Sequence, residues 1–144
     1  MSQAIKEAKK ASLIGEVPIG AVVVCNEKIF ARAHNKRITK KSSIAHAEIE
    51  VIQKATKKLG DWRLKDMTLY VTVEPCLMCA GAIIHSRLKK VVYGCHEPKM
   101  GAVESVYSVF KVNNLHHCPQ VIGGILKNEC KKILSDFFKG IRKR

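Results

Sequence analysis

The sequence has no run of about 18 apolar residues, so no part of it is expected to span a membrane as a helix. The apolar stretch at residues 19–25 has only the length of a strand. Four prolines and nine glycines are too few for long disordered tracts. No repeat, linker or low-complexity segment interrupts the chain. A secretory leader is not expected, because Lys6, Lys9 and Lys10 break up any apolar centre near the N-terminus. These absences point to a cytoplasmic protein. In that compartment the six cysteines are expected as thiols or metal ligands rather than disulfides. Acidic residues are also scarce: twelve Asp and Glu stand against 26 Lys and Arg, for a net charge of +14. Such a surplus attracts polyanions, of which nucleic acid is the commonest. A lysine-rich composition accounts for it equally well, so charge alone does not choose the partner.

At 144 residues the chain is expected to form one domain, 1–144. Residues 2–14 read as a short helix, with Ala4, Ile5, Ala8 and Ala11 on one side. IGAVVVC is continuous and β-branched, as in a buried strand. An Asn26-Glu27 turn joins it to KIFARAH, which completes a hairpin. Residues 35–44 form a basic loop, and residues 45–59 a helix closed by Gly60. MTLYVTV is a third strand, with Met67, Leu69, Val71 and Val73 on one face. Pro75 suits the first position of the helix that follows. KKVVYG and PQVIGG read as the last two strands, separated by an irregular stretch with a short helix near 106–110. The final helix carries Leu126, Cys130, Ile133, Leu134, Phe137 and Phe138 at helical spacing. Strand and helix alternate after the hairpin, so the fold class is α/β, a mixed sheet covered by helices.

Cys76-x-x-Cys79 is the strongest chemical signal. A separation of three puts both sulfurs on one helix face, and a helix N-terminus favours the thiolates that bind zinc. The same face continues as Ala80, Ile83 and Ile84, so the sulfurs point inward. A structural zinc site needs four protein ligands, yet Cys25, Cys95, Cys118 and Cys130 form no second pair. Three ligands plus water is the catalytic alternative, and His46 in HAE is the candidate third ligand. Glu48 lines up with Ile52, Ala55 and Leu59 on the apolar stripe of its helix, opposite Lys54, Lys57 and Lys58. A carboxylate there is costly unless it has a purpose, and burial raises its pKa toward the range useful for proton transfer. Taken singly, HxE is an ordinary helix start and CxxC a redox pair. Together, HxE and PCxxC are the signature of zinc deaminases.

With HAE and PCLMC both present, the chain resembles the cytidine deaminase-like superfamily, and within it the bacterial tRNA-specific adenosine deaminases. GEVPIGAVVV, HN, AHAEI, DWRL, TLYVTVEPCLMCAGAIIHSR, VVYG and LSDFF occur in that family's order and span nearly the whole chain. The resemblance implies a three-layer α/β/α fold with a five-stranded mixed sheet, a homodimer, and one Zn2+ per subunit. It implies hydrolytic conversion of adenosine to inosine at the wobble position of a tRNA anticodon stem-loop, usually of an arginine tRNA. His46, Cys76 and Cys79 would bind the zinc that activates water, and Glu48 would shuttle protons. Asn35 and Ile19 match residues that hold and wall the target base. Phe138 and Arg142 lie on the end of the chain that the family turns toward the anticodon loop, for stacking and for phosphate.

The sequence departs from the family in two places. Ser42 and Ser43 replace an Asp-Pro before HAE, and Glu97 stands where an Asp near the substrate backbone is usual. Phe137 extends the Leu126, Cys130, Leu134 row and is expected in the core. His85 is expected at a helix end, His116, His117 and Cys118 in a loop, and Cys25 as a small packed hydrophobe. A deaminase of free bases or nucleosides, of guanine or cytosine type, shares the same two motifs and is the alternative. A zinc-stabilised RNA-binding module without activity fits less well, since a structural site needs no carboxylate on the buried stripe.

Overall fold

The computed structural model describes residues 1–144. Strand β1 (Gly20–Cys25) turns through Asn26 and Glu27, both at positive φ, into β2 (Lys28–His34). Two successive left-handed residues give a hairpin turn whose twist matches the strands. β3 (Thr68–Val73) runs antiparallel on the other side of β1, and β4 (Lys90–Cys95) and β5 (Gln120–Ile122) follow in parallel. The sheet is five-stranded and mixed, in the order β2-β1-β3-β4-β5. Helices α1 (Ser2–Leu13) and α4 (Lys127–Arg142) pack on one face, and α2 (Ala47–Leu59) and α3 (Leu77–His85) on the other. The three-layer α/β/α arrangement expected from the sequence is the one observed. No helix is long and apolar enough to cross a membrane.

The main core lies under α2 and α3, where Val51, Ile83, Leu69, Val71, Val91 and Tyr93 meet. On the opposite face α1 sits flush against β1 because a Cβ at Gly20 would strike the backbone of Ala4 and Ala8. Gly94 does the same for α4, admitting Cys130 to the end of the sheet. Val73 packs apart from Met67, Leu69 and Val71, with Cys95 and Cys130 instead.

Element boundaries differ from the sequence reading at several places; α2, for one, begins at Ala47 rather than at residue 45. α3 begins at Leu77, with Cys76 as its extended N-cap, so Pro75 lies outside the helix. The cause is pairing with a distant loop: Ala102 N–H donates to the Pro75 carbonyl at 2.9 Å, and Cys76 bridges to Gly101. The short helix expected near 106–110 is a 3-10 turn at Val109–Lys111, because the amides of Val106 and Tyr107 bond to the Gly101 carbonyl. α4 starts one residue after Leu126, which caps it at φ 51.

Candidate metal centre and base pocket

His46 and Cys76 are both helix N-caps with extended backbone, at ψ 153 and ψ 175. That conformation swings each side chain past the end of its helix. α2 and α3 pack side by side, so the two caps face each other. Cys79, one turn into α3, is fully buried and completes the group. The Sγ atoms of Cys76 and Cys79 each lie 3.6 Å from His46 Nδ1. Two ligands at ordinary Zn–S and Zn–N lengths on a tetrahedral ion stand about 3.6 Å apart. All three donor atoms fall within 4.8 Å of one another, and no fourth protein donor joins them. The donor set therefore fits zinc with one open position. A hydrogen bond from Cys79, then one with His46, pushes the Cys76 thiol down to about 4. The same bond to Cys76, together with burial, pushes the Cys79 thiol up. The bond between the two sulfurs favours the charged form on Cys76, and a thiolate is the form that coordinates zinc.

Glu48 lies in the first turn of α2, two residues past His46, and is buried. Burial pushes its carboxyl up to about 7; its own amide, His46 and the Cys79 thiol only partly offset this. Ile52 and Ala55 are buried behind it as expected, but Leu59, at the end of the same stripe, is 41% exposed. The buried stripe is therefore shorter than its spacing suggests. Glu50 is buried too, which the sequence pattern did not indicate; Lys40 reaches both its oxygens at 2.9 and 2.7 Å.

Beside His46 opens a cavity of about 510 Å³, within the range of small-ligand sites. Val17, Ile19 and Asn35 line it, as do Arg37, Lys41, Ser42 and Ser43 of the basic loop, while Pro18 does not. Asn35 is buried, its Nδ2 donating to the Val17 carbonyl at 3.2 Å and its Oδ1 accepting from Arg37 N–H at 3.2 Å. An amide carries two donors and two acceptor sites, so one of each remains for a ligand. Arg37 and Lys41 were legible only as part of a charged loop. Glu16, another lining residue, gave no sequence signal.

Other expected site residues lie elsewhere. Glu97 does not line the cavity; its Oε1 accepts from Lys99 N–H at 2.9 Å. Phe138 and Arg142 are exposed on α4, away from the cavity lining, and Phe137 is half-buried with its ring edge-on to Phe138. His117 Nε2 meets the Leu88 carbonyl at 2.6 Å and Cys118 the Phe110 carbonyl at 3.0 Å, so both tie down a loop. His85 ends α3, and Cys25 packs against the main core. Glu74, two residues before Cys76, was missed: its fully buried carboxylate gathers the 96–105 loop.

A sequence profile described as MafB19-like deaminase matches residues 1–142. The tRNA-specific adenosine deaminase of Bacillus subtilis (strain 168) is 53% identical over all of this chain and 89% of its own length. The chain belongs to the tRNA-specific adenosine deaminases. A structure from a study of A-to-I editing by tRNA:A34 deaminases at the wobble position superposes with a TM-score of 0.90. It is 44% identical and covers 93% of this chain and 97% of its own. Guanine deaminase from Nitrosomonas europaea shares the fold at a TM-score of 0.78, with 21% identity over 94% of this chain and 81% of its own.

Proposed function

We propose that this tRNA-specific adenosine deaminase family member converts adenosine to inosine at the wobble position of a tRNA anticodon, with an arginine tRNA as substrate. The observation that carries the proposal is the triad of His46 Nδ1, Cys76 Sγ and Cys79 Sγ within 4.8 Å, with a buried Glu48 beside it. His46, Cys76 and Cys79 would hold one zinc per subunit. A bound zinc supplies Lewis acidity, bringing water toward ionisation near neutral pH. Glu48 carries the protons: it accepts one from water as the oxygen adds to adenine C6 and gives it to ring N1, then takes the proton of the C6 hydroxyl and passes it to the amine as ammonia departs. Water is consumed and ammonia released, so inosine forms with no other reactant. Asn35 presents its remaining donor and acceptor to the base edge, and Ile19 walls the base.

The basic loop supports RNA over a free base, because Arg37 and Lys41 line the cavity of a chain with net charge +14. Phe138 and Arg142 would serve RNA beyond the base, and Glu97 the neighbouring backbone. A homodimer is part of the proposal. Exposed Leu77, Met100, Val106 and Tyr107 gather around the Cys76–Gly101 bridge, an apolar patch suited to a second copy. A cytoplasmic location suits a tRNA substrate. The test is incubation of zinc-loaded protein with a transcribed arginine tRNA bearing an unmodified wobble adenosine, followed by sequencing for inosine. Inosine at that position alone is expected. Turnover of free guanine or cytosine, with none on the tRNA, would replace the proposal with the free-base alternative.

A further inference from the structure

Glu16 follows the left-handed Gly15 in the turn between α1 and β1, and its side chain is completely buried. Its Oε1 accepts two hydrogen bonds from the basic loop: Thr39 N–H at 2.7 Å and Thr39 Oγ1 at 3.0 Å. Its Oε2 has none. Among the buried side-chain nitrogens and oxygens of the protein, this atom alone lacks a partner. Glu16 belongs to the wall of the cavity that Val17, Ile19, Asn35, Arg37 and His46 also line. A buried carboxylate oxygen without a donor is costly, and native structures leave few such atoms unexplained. Arg37 and Lys41 line the same cavity, yet neither reaches it.

A carboxylate accepts hydrogen bonds and repels phosphate. The donors an RNA offers are base N–H groups and ribose hydroxyls. We propose that Glu16 is a substrate-binding residue: Oε1 fixes the basic loop, and Oε2 accepts a hydrogen bond from an N–H or 2′-OH of the nucleotides seated in the cavity. The loop and the carboxylate then divide the task. Lys36, Arg37 and Lys41 supply sequence-independent attraction to phosphate, and Glu16 supplies one directional acceptor. The inference rests on the tRNA deaminase reading above for its substrate class.

Glu16→Gln tests it. The amide can keep its oxygen on Thr39, but it then sets an NH2 group where Oε2 stood, facing the substrate's donor. Zinc-loaded E16Q is expected to bind an anticodon stem-loop about tenfold more weakly and to raise KM alike. Its single-turnover rate at saturation should stay within about twofold, and zinc content and melting should be unchanged. Thr39→Val, which removes only the Oγ1 bond, should weaken binding less. Wild-type affinity in folded E16Q, or a loss matched by Thr39→Val, overturns the proposal. If E16Q does not fold, Glu16→Asp replaces it: the charge stays while the oxygens withdraw, and wild-type affinity there is equally fatal. RNAs with 2′-deoxy substitution at the target or its 3′ neighbour separate the sources. A substitution that weakens wild type but not E16Q identifies a ribose hydroxyl; equal losses in both identify a base N–H. Binding is read separately from turnover, so an inactive wild-type protein would count against the deaminase proposal, not against Glu16.

Discussion

Glu48 and Glu74 are both buried, and each stands two residues from a member of the His46, Cys76 and Cys79 triad, yet their surroundings push them in opposite directions. Around Glu48 desolvation dominates, and the carboxyl rises to about 7. Around Glu74 desolvation acts the same way but loses. Ser105 Oγ and the amides of Glu104, Ser105 and Glu97 donate to the carboxylate and hold it at about 2. Val103 N–H adds a bond at 3.1 Å, and His96 Nδ1 stands 3.3 Å away. Few donors leave a carboxyl free to gain and lose a proton; many donors fix it as a permanent anion. Glu74 thereby pins the loop whose Gly101 bridges to Cys76, so one acid is suited to chemistry and the other to holding a ligand in place.

Glu48→Gln should separate the two roles most sharply. Removing the proton carrier is expected to slow single turnover about a thousandfold, with zinc content and melting temperature kept. Retained turnover would remove Glu48 from the mechanism. Cys79→Ala should lower bound zinc, measured by metal analysis, to near zero, with activity falling in step. Unchanged zinc would mean that the triad is not the metal site. Glu74→Gln should reverse the Glu48 pattern. It is expected to cost about 3 kcal/mol of stability, the linkage value of a carboxyl shifted from its usual range to about 2. Melting should fall by roughly 6–12 °C, with less than about tenfold lost from the single-turnover rate below that temperature.

The same residue fixes a pH dependence. Its folded-state pKa is depressed, so its stabilisation is complete above the unfolded value near pH 4.5 and disappears as pH falls through about 2. Urea midpoints of wild type and E74Q should therefore converge across that window; a constant gap would assign the loss to packing. The smallest effect is expected at Lys40→Met, which leaves buried Glu50 without its partner and should cost about 1 kcal/mol by urea unfolding. No change there would show that Glu50 finds water instead.

The β-branched run of β1, the CxxC spacing and the apolar stripe carrying Glu48 were legible because each is local: periodicity and spacing act within one element. Hence the sheet, its flanking helices and the triad's members were within reach of the sequence. Glu74, Glu50 and Glu16 were not. Each reads in the chain as an ordinary surface acid, and each is buried by partners far away in sequence: 31 residues to Ser105, 10 to Lys40, 23 to Thr39. Pro75 was misplaced for the same reason, since pairing of Cys76 with Gly101 overrode a good local helix start.

The sequence by itself determined which groups could hold a metal and move a proton, because coordination and acid–base chemistry belong to residue types. Only the tertiary structure decided which carboxylate is which. A carboxyl's pKa depends on how much water it loses and how many donors replace that water. Those numbers are set by loops that meet only when the chain has folded.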